Sequence, residues 1–452
     1  MRISVLLSIV LLFPSQVDGR PIVPRCSTPQ ELRAQFTSVS FACPGCGVLL
    51  IDLDGLRADR LGYAGYSGGV SPFIDSLAKR GIVFRNAMAQ SSWTYPSAAS
   101  VVTSQYPSAH GAGRTAAVLS RSLPTIFSIS KAKGYRVLGD DRRPFVWDKK
   151  MMMDVSENSF ENPGYAAELN SAVEALSASP TLAYLINMDL HRPYLRISAP
   201  AAPAADPDAA LYLAHVNEHR RDLTDGASAD VIAAVNRLYD RRVRYVDGRI
   251  EALIGALEKK GLFKRTIVVL YSNHGELIFE HSLWGHGYGY SDEEIHVPFI
   301  LLHPSVNEHN AAAVCQEIEL IDLAPTLFEM LGFGVPSFGR GRSLVPLLKG
   351  RADESSFKYA FSEAANLAST YRNMVRTNEW KLLSTVRDSY QLFDLAHDPS
   401  ETRDVKAEHE DVFKKMKIVL GKWEKENRLL HQPTVYDQSD AEKAALIKLG
   451  YW

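Results

Sequence analysis

Three apolar runs of the chain end in side chains that can bind a metal ion or transfer a proton. The runs cover residues 47–54, 181–191 and 266–275. The polar residues at their ends are Asp52, Asp54, Asp189, His191, Asn273 and His274. Near-continuous apolar runs of this length are typical of strands buried on both faces of a parallel sheet, and such sheets bind ligands beyond the carboxyl ends of their strands. We therefore expect these side chains to meet at one edge and to form a metal and acid/base site.

A further candidate lies in residues 92–103, where Thr94 and Pro96 have the spacing of a helix start. The simplest interpretation is that Thr94 caps the helix and Pro96 lies in its first turn. The functional interpretation makes Thr94 a nucleophile at a helix N-terminus, whose unpaired N–H groups stabilise an oxyanion, a phosphate or a sulfate. A threonine hydroxyl is a poor nucleophile at neutral pH, so it would need a metal or a base from the strand ends.

The elements that must position these groups follow an α/β pattern. Strand-like and helix-like stretches alternate from residue 47 to about 332, which favours a doubly wound, mostly parallel central sheet flanked by helices. A short helix with Ser71 as its cap is predicted first, and a long amphipathic helix runs from about Val231 to Lys260. After Pro336, alternating stretches predict a small antiparallel sheet with one amphipathic helix packed on it. The alternating stretches are 358–363, 371–376, 380–385 and 390–395, and the helix carries Phe413, Met416, Leu420 and Trp423.

These patterns divide the chain into four regions. Residues 1–19 have a short apolar core and a small-residue cleavage site, which predicts a signal peptide and a secreted or periplasmic protein, with an uncleaved anchor as the alternative. Residues 20–46 are expected to form an irregular lead-in. Residues 47–335 are predicted to form the catalytic α/β domain, and residues 336–452 a C-terminal α+β subdomain. Residues 195–230 are rich in Ala, Pro, Asp and Arg and are predicted to form a surface insertion near the site.

Composition narrows the possible partners. A net charge of −2 and a pI near 6.7 give no basic surface for nucleic acid. No further segment approaches the length of a transmembrane helix, so no stable membrane span is predicted. The sequence makes no prediction about oligomeric state. Four cysteines fit one or two disulfides, and Cys43-Pro-Gly-Cys46 precedes a strand, which favours a structural bridge over a redox motif.

A series of short motifs runs in order over residues 47–405. They are Asp54-Gly55-Leu56-Arg57, Ser71-Pro72-Phe73-Ile74, Gly81-Ile82-Val83-Phe84, Tyr106-Pro107-Ser108-Ala109-His110-Gly111, His191-Arg192-Pro193-Tyr194, Ser272-Asn273-His274-Gly275-Glu276, Trp284-Gly285-His286-Gly287, His296-Val297-Pro298-Phe299 and Leu392-Phe393-Asp394-Leu395. Together they make the chain resemble the sulfatase family of the alkaline phosphatase superfamily. The resemblance implies that fold and a metal-dependent hydrolase of sulfate or phosphate esters, acting on a small anionic ester.

The resemblance implies one divalent metal ion. Asp54, Asn273 and His274 match its ligands, and the Thr94 oxygen is a further ligand. Asp52 has two equal interpretations, as an additional ligand or as a hydrogen-bonded acid at the end of its strand. Calcium is the ion that the sulfatase resemblance implies. Zinc or manganese are the alternatives, because an imidazole ligand suits a transition metal better.

The resemblance also implies catalytic roles. His191 and His286 match positions that contact the transferred group or protonate the leaving oxygen. Thr94 matches the cysteine that sulfatases oxidise to formylglycine. Ser97 and Arg57 are candidates for binding the anion, although Ser97 is equally interpreted as a cap and Arg57 more simply as a residue that positions the loop after the first strand.

Three departures from the sulfatase pattern change the expected chemistry. Thr94 cannot become formylglycine. In having an unmodified threonine at this position, the chain resembles the nucleotide pyrophosphatase/phosphodiesterases and phosphoethanolamine transferases of the superfamily. Ala98 replaces the motif arginine and removes a fixed positive charge. Asn273 replaces the usual aspartate and removes one negative charge from the metal ligands.

Two functions are therefore carried forward. The first is ester hydrolysis with Thr94 as nucleophile, with phosphoryl transfer favoured over sulfuryl transfer. The second is a catalytically silent, sulfatase-like protein that binds an anionic glycan or headgroup, which the three departures motivate. Of the remaining polar residues, Asp189, His110 and His281 are interpreted as structural.

Overall fold

The computed structural model describes residues 25–112, 119, 123–138, 163–192, 194, 206–218, 227–335, 339–363, 371–387 and 389–427, and the backbone of short strand segments at 16–17, 20–21, 117–118 and 434–435. The signal peptide predicted for residues 1–19 falls almost wholly outside this part of the chain and stays a prediction. Within the described residues, no helix is both long enough and apolar enough to cross a bilayer.

A sheet of eight strands forms the centre of the fold. Its strands are β1 (Gly47–Leu53), β2 (Ile82–Met88), β3 (Arg136–Leu138), β4 (Thr181–Asn187), β5 (Thr266–Tyr271), β6 (His296–Val297), β7 (Phe299–Leu302) and β8 (Ala312–Glu319). The order across the sheet is β8, β2, β7, β5, β1, β4, β3, and β6 pairs with β2 beside β7. Only β6 and β7 run antiparallel to their neighbours. The predicted mostly parallel α/β sheet is therefore confirmed.

The position of β1 between β4 and β5 determines where the polar clusters lie. Leu53 pairs with Asn187 at the end of β4, and Asp52 pairs with Tyr271 at the end of β5. Every residue of β1 and β5 is buried, as their apolar sequences predict. Because these three strands are parallel and in register, the residues that follow them emerge at one edge of the sheet.

Helices cover both faces of the sheet. They are α1 (Pro29–Phe36), α2 (Pro72–Ala78), α3 (Thr94–Thr103), α4 (Pro107–His110), α5 (Ile126–Ala132), α6 (Pro163–Ala178), α7 (Pro207–Glu218), α8 (Ala229–Lys259), α9 (Asp292–Ile295), α10 (Leu323–Met330), α11 (Val345–Leu348) and α12 (Glu410–Glu426). Val48 and Leu50 of β1 pack in a cluster with α1, α10 and α11, whereas Leu49 and Ile51 pack with α8. Alternate residues of β1 thus face opposite helical layers, as the two-residue period of a strand requires.

The expectation of an irregular segment over residues 20–46 is wrong for α1. The Thr28 hydroxyl accepts a hydrogen bond from the Glu31 N–H at 3.2 Å, and the Glu31 carboxylate accepts one from the Thr28 N–H at 2.8 Å. This reciprocal pair is a capping box. Leu32 and Phe36 then anchor the helix because both are fully buried. The Thr-x-x-Glu spacing was visible in the sequence and would have predicted this helix start.

The predicted cap of α2 also needs correction. Ser71 does not cap the helix, and its hydroxyl instead donates to Asp75 at 3.2 Å. The N–H groups of Phe73 and Ile74 donate to the Asp247 carboxylate of α8 at 3.1 and 2.8 Å. A carboxylate 173 residues away in sequence therefore caps α2, and no local spacing could have revealed it.

A separate antiparallel sheet follows in the chain. Its strands β9 (Ala360–Glu363), β10 (Tyr371–Arg376), β11 (Trp380–Thr385) and β12 (Tyr390–Asp394) pair in sequence order, and α12 packs on them. The observed bounds of β10 and β11 are those predicted from the alternation. The division of the chain at residue 335 stays a prediction. The predicted insertion at 195–230 contains α7, and its residues 195–205 and 219–226 lie outside the described part of the chain.

Two disulfides join the four cysteines. One links Cys26 to Cys315 of β8 across 289 residues, and the other closes the short Cys43–Cys46 loop immediately before β1. The first ties the segment before α1 to the edge of the main sheet. Both therefore fit the structural role predicted from the sequence.

Candidate active site and metal centre

Asp54, Thr94, Asn273 and His274 form a buried group at the carboxyl edge of the sheet, which we call the Thr94 corner. The Thr94 hydroxyl donates to Asp54 Oδ2 at 3.0 Å and lies 3.0 Å from His274 Nε2. His274 Nε2 also lies 3.1 Å from Asp54 Oδ1. All four side chains are at most 4% exposed. Three side chains from segments at least 40 residues apart thus meet within hydrogen-bonding distance.

The secondary structure places each of these groups. Asp54 follows β1, and its N–H is fixed to Asn187 O of β4 at 2.9 Å. His274 follows β5, and its Nδ1 lies 2.8 Å from the carbonyl oxygen of Gly275. Gly275 permits a close approach of the chain, since a Cβ there would lie 2.1 Å from Glu293 O. Thr94 begins α3, with Trp93 in the N-cap position, so the prediction that Thr94 itself caps the helix is corrected.

Two buried oxygen atoms of the Thr94 corner accept no hydrogen bond from the described residues. Because a carbonyl oxygen can only accept, His274 Nδ1 carries the hydrogen in the bond to Gly275, and the Nε2 lone pair of the neutral ring faces Thr94 and Asp54. From the described part of the chain, Asp54 Oδ1 receives no hydrogen bond, and neither does the buried side-chain oxygen of Asn273. Unsatisfied buried acceptors are costly. A carboxylate, an amide oxygen, an imidazole nitrogen and an alcohol are a donor set that fits a divalent cation.

The charges of the corner support the same interpretation. Burial would raise the pKa of the Asp54 carboxyl, yet the neighbouring imidazoles, His274 foremost, lower that pKa well below its usual range. Burial disfavours a charged His274, but the attraction of Asp54 outweighs burial and raises its pKa above the ordinary value. The corner therefore stabilises a positive charge, which a proton or a metal ion can supply.

Both carboxylate oxygens of Asp52 accept hydrogen bonds from neighbouring buried groups. Its Oδ1 accepts from the Asn273 N–H at 3.0 Å, and its Oδ2 accepts from the Asn273 amide at 3.1 Å and from the Tyr184 hydroxyl at 2.8 Å. Burial and the nearby charge of Asp54 raise the pKa of Asp52 to about 7. These contacts favour the second interpretation of the sequence, in which Asp52 is a strand-end acid that orients Asn273.

Three further buried side chains, His191, Glu276 and His286, form an adjoining group that we call the two-histidine wall. His286 Nδ1 lies 2.8 Å from Glu276 Oε1, and the His191 and His286 rings are 4.7 Å apart. The His286 ring also stacks on that of His274 with centroids 4.3 Å apart, which connects the wall to the Thr94 corner. The sequence analysis assigned no role to Glu276, although it lies two residues after His274 in the same motif.

Titration differs across the two-histidine wall. Burial, followed by the charge on His274, lowers the pKa of His286 to about 3, and burial also lowers the pKa of His191. Burial opposes ionisation of Glu276, but His286 lowers the pKa of that carboxyl to about 2. At neutral pH the wall therefore combines a carboxylate with two neutral imidazoles.

The contacts do not support the predicted anion-binding roles of Ser97 and Arg57. The Ser97 hydroxyl donates to the Asn273 carbonyl at 2.5 Å, so its hydrogen is not available to an oxyanion. The Arg57 guanidinium pairs with Asp59 and Glu280, each at 2.7 Å, and its side chain is 3% exposed. Ser97 thus fastens α3 to the loop after β5, and Arg57 positions the loop after β1.

The remaining candidates have structural contacts. Asp189 pairs with the buried Arg242 of α8 at 2.7 Å. His110 Nε2 lies 3.0 Å from the Ser100 hydroxyl and so supports α3. His281 is exposed, and it lies 3.5 Å from a carboxylate oxygen of Glu293. These contacts agree with the structural interpretation given to each residue.

Comparison with known proteins identifies the family. Residues 47–333 match the family model described as Sulfatase, and residues 279–426 match the C-terminal model of N-sulphoglucosamine sulphohydrolase. The first match alone covers more than half of the chain. The chain belongs to the sulfatase family. The Thr94 corner and the two-histidine wall both fall within the matched residues.

Two curated relatives show how far the similarity extends. Arylsulfatase K of Mus musculus is 27% identical over 208 residues, which are 43% of this chain and 37% of that protein. The chain thus spans little more than a third of the length of that relative. The delta 4,5-hexuronate-2-O-sulfatase of Bacteroides thetaiotaomicron is 24% identical over 415 residues, which cover 79% of this chain and 84% of the relative.

A solved structure agrees with the fold. The phosphonate monoester hydrolase from Silicibacter pomeroyi superposes with a TM-score of 0.66 and 20% identity, covering 85% of this chain and 96% of the other. The sulfatase-like α/β architecture predicted from the sequence is therefore confirmed.

Proposed function

We propose that this protein is a metal-dependent hydrolase of phosphate or sulfate esters in which Thr94 is the nucleophile. The observation that carries the proposal is the contact of the Thr94 hydroxyl with both Asp54 and His274 at 3.0 Å. A buried hydroxyl next to a carboxylate and an imidazole has what a weak nucleophile requires, namely a proton acceptor and a site for a cation. Family membership makes an ester of an oxoanion the expected substrate.

Asp54, Asn273, His274 and the Thr94 oxygen would hold the divalent ion. A bound ion would supply Lewis-acid stabilisation of the threonine oxyanion and of the charge that develops on the substrate. One imidazole among oxygen ligands, together with an uncharged amide in place of a second carboxylate, favours zinc or manganese over calcium. To test this preference, a chelator removes the bound ion and the protein is reloaded with zinc, manganese or calcium in turn. The amount of each ion bound and the turnover rate recovered with it are then measured.

The reaction proposed for the chain's own residues has two displacements. In the first, the Thr94 oxygen bonds to phosphorus while the bond from phosphorus to the leaving oxygen breaks. The threonine proton passes to Asp54 Oδ2, which already accepts it in a hydrogen bond. His191 or His286 is the proposed source of the proton that the leaving oxygen takes up, because the negative charge of a bound ester would raise the pKa of the adjoining imidazole. Water then attacks phosphorus and the bond from phosphorus to the Thr94 oxygen breaks. Asp54 returns its proton to that oxygen, a proton of the water restores the imidazole, and phosphate is released.

Phosphoryl transfer fits Thr94 better than sulfuryl transfer. A formylglycine hydrate can expel sulfate by using its second hydroxyl, whereas threonine has only one hydroxyl. Its adduct must therefore be cleaved by water at phosphorus or sulfur. We accordingly expect phosphate monoesters, diesters or phosphonates to be turned over faster than sulfates. A sulfated uronate saccharide belongs in the same test, since a relative similar over most of the chain is named for that activity.

Substitution of Thr94 is the direct test. Thr94→Ala should lower kcat by at least about a thousandfold because the nucleophile is lost, whereas Thr94→Ser should retain measurable turnover. Both variants and the wild type are assayed with the four ester classes and each metal ion, after circular dichroism has verified folding. Turnover by Thr94→Ala at the wild-type rate would exclude the nucleophilic role.

The competing function is binding without turnover. Ala98 is 1% exposed next to the nucleophile and supplies no charge there, which is the observation that favours a silent site. If the wild type binds a sulfated or phosphorylated saccharide in calorimetry but turns over none of the esters with any ion, binding replaces hydrolysis as the function.

We also infer export of the protein. Two disulfides and the apolar segment at residues 1–19 agree with an oxidising compartment. The test is the mass of the mature N-terminus after expression with the native leader: cleavage near residue 19 is expected, and an intact N-terminus would contradict it.

A further inference from the structure

A cavity of about 610 Å³ lies between the edge of the main sheet and the C-terminal sheet. We call it the Trp380 pocket, and its walls include Gln316 and Glu317 of β8, Trp380 of β11 and Met416 of α12. β8 is the outermost strand of the main sheet and lies four strands from β1, which is roughly 19 Å across the sheet. The pocket is therefore separate from the Thr94 corner, and its volume is usual for a site that binds a small molecule.

Two buried oxygen atoms of the Trp380 pocket lack hydrogen-bond donors. Arg376 donates to Glu317 Oε1 at 2.5 Å, whereas Glu317 Oε2 accepts no hydrogen bond from the described residues. The buried Gln316 Oε1 likewise has no donor in that part of the chain. Glu317 is only 1% exposed. Because unsatisfied buried acceptors are costly, these two atoms indicate where the hydroxyl or N–H groups of a ligand would bind.

A β-bulge in β8 accompanies the two acceptors. Between Val314 and Glu317, β8 has one residue more than the paired segment of β2. A bulge of this kind bends the strand and redirects its side chains. The Asn86 amide of β2 donates to the carbonyl of Cys315 and to the side chain of Asn378, both at 2.7 Å. These bonds tie the bulge to the turn between β10 and β11, so the walls of the pocket are held in place without a ligand.

Trp380 gives the pocket an aromatic wall. Its backbone N–H donates to the Thr377 hydroxyl at 3.0 Å, and the Thr377 N–H donates to the Trp380 carbonyl at 2.8 Å, which closes the turn. The indole contacts the His409 ring at a centroid distance of 4.8 Å and is half-buried. The buried side chains of Phe357 and Met416 extend this apolar surface. A rigid aromatic face can pack against the C–H face of a sugar ring with little loss of conformational entropy.

Charged side chains surround the opening of the pocket. Lys358 and Lys415 line it and are exposed, and so is Glu379. The two ammonium groups outnumber the one carboxylate, so the opening favours an anion over a cation. A fitting ligand therefore has hydroxyl groups for the buried acceptors, an apolar ring face for the indole and a negative charge for the lysines.

We propose that the Trp380 pocket binds an acidic saccharide, that is, a sugar unit that carries a sulfate or a carboxylate group. Hydroxyl groups of the sugar would donate to Glu317 and Gln316, and its ring would pack on Trp380. Its anionic group would lie beside Lys358 or Lys415.

If the ester hydrolysed at the active site is part of a saccharide chain, the pocket would hold that chain and raise its effective concentration near the nucleophile. For this role the inference rests on the proposed function, whereas the binding of the saccharide does not. The two can therefore be measured separately, one as an affinity and the other as a turnover rate.

The test is calorimetric titration of the full-length Thr94→Ala protein with a chondroitin sulfate tetrasaccharide, which this variant should not consume. Lys415→Glu and Trp380→Ala, each added to Thr94→Ala, should weaken the binding at least about tenfold, because they remove a charge partner and the aromatic wall. The same binding should persist in Asp54→Asn, which alters only the Thr94 corner. Cellotetraose has hydroxyl groups but no charge, and we expect it to bind at least about tenfold more weakly than the sulfated tetrasaccharide.

A matched control comes from the same helix. Lys425 is exposed on α12 and lies ten residues after Lys415, which is about 15 Å along the helix. Lys425→Glu makes the same change of charge and should leave the affinity for the tetrasaccharide unchanged. Thermal denaturation shows whether each variant is folded, and Gln316→Ala replaces Trp380→Ala if that variant is not.

Three results would overturn the proposal. They are no binding of the tetrasaccharide, equal weakening by Lys415→Glu and Lys425→Glu or by neither, and binding of cellotetraose as tight as that of the tetrasaccharide. Hydrolysis of a small aryl phosphate by Lys415→Glu that retains Thr94 should equal that of the wild type. Tetrasaccharide binding in a protein that turns over no ester contradicts the proposed function alone, and turnover without tetrasaccharide binding contradicts the pocket alone.

Discussion

Two buried, charged regions of this protein differ in how completely their charges are neutralised. In the first, the Thr94 corner, the Asp54 carboxylate has a hydroxyl and an imidazole beside it, and none of the described residues gives it a lysine or arginine partner. The second region, which we call the Lys381 cluster, contains Asp292, Glu317, Arg376, Lys381 and Glu401. There Lys381 pairs with Asp292 and Glu401, and Arg376 pairs with Asp292 and Glu317.

Each carboxylate of the Lys381 cluster has a lysine or arginine partner, whereas Asp54 of the Thr94 corner has neither among the described residues. The Lys381 ammonium is fully buried, donates to Glu401 at 2.6 Å and also donates to the Tyr290 carbonyl at 2.9 Å. Burial would lower the pKa of Lys381, but Asp292 and Glu401 raise it, so the charge is retained. The Lys381 cluster joins two parts of the fold. A buried carboxylate without a lysine or arginine partner is placed for a ligand that supplies positive charge, and this contrast separates a structural group from a functional one.

Neutralising Asp54 should produce the largest effect and affect activity rather than stability. Asp54→Asn removes a metal ligand and the acceptor of the Thr94 proton, so we expect kcat to fall by at least about a thousandfold. The free energy of unfolding of the metal-free protein should stay within about 1 kcal/mol or rise, since a poorly paired buried charge is removed. Urea unfolding and steady-state kinetics measure the two quantities, with the exposed Asp230→Asn as a control that changes neither. A strongly destabilised Asp54→Asn protein with normal turnover would reverse the comparison.

Removing the lysine of the Lys381 cluster should have the opposite effect, a loss of stability with little change in turnover. Lys381→Met leaves the carboxylates of Asp292 and Glu401 buried without their ammonium, and removing one partner of a buried pair costs about 3–5 kcal/mol. Turnover per folded molecule should remain within about tenfold of the wild type, because no ligand of the Thr94 corner is touched. The matched control is Lys414→Met, whose exposed pair with Glu410 is worth only about 0.5 kcal/mol. If the two substitutions lower the free energy of unfolding equally, the Lys381 cluster contributes no more to stability than a surface pair does.

Adding a charge to the Thr94 corner should sharpen the contrast. Asn273→Asp gives the ion a second carboxylate, so we expect its apparent affinity to rise about tenfold, which is about 1.4 kcal/mol. Without metal, the same variant should be less stable because the new charge lies beside Asp52 and Asp54. Calorimetric titration with Zn²⁺ and thermal denaturation with and without the ion measure both effects. Unchanged affinity would show that residue 273 does not contact the ion.

A third kind of buried acid gives the smallest expected effect. Among the described residues Asp247 forms no ion pair, and its oxygens accept the N–H groups of Phe73 and Ile74 instead. Asp247→Ala should cost about 1 kcal/mol, as is usual for a lost helix cap. Ser71→Ala is the informative partner variant, because the sequence alone would have assigned the cap to Ser71. If Ser71→Ala lowers the free energy of unfolding in urea more than Asp247→Ala does, Ser71 is the cap of α2, as the sequence alone predicted.

The sequence predicted the fold well where periodicity is local. The buried strands β1 and β5 and the alternating strands β10 and β11 follow from patterns within each segment. It failed where a contact depends on a distant partner, as for the Asp247 cap of α2. It also missed α1, although the Thr28 capping box was present in the sequence.

The site was predictable in its members but not in all their roles. The strand-end pattern predicted Asp54, His191 and His274, the helix start at residue 94 predicted Thr94, and the motif resemblance added His286. The contacts that occupy Ser97 and Arg57 depend on side-chain packing, which no spacing reveals. Glu276 was missed for the same reason, because its partner His286 lies ten residues further along the chain.

The central claim is that the oxygen of Thr94 becomes bonded to the group transferred. Its most direct test is to quench the wild-type protein with acid during turnover of an aryl phosphate, and to search its peptides by mass spectrometry. The account predicts a phosphoryl group on Thr94, absent from the Thr94→Ala variant. Sustained turnover with Thr94 unmodified at every quench time, together with an active Thr94→Ala variant, would contradict it.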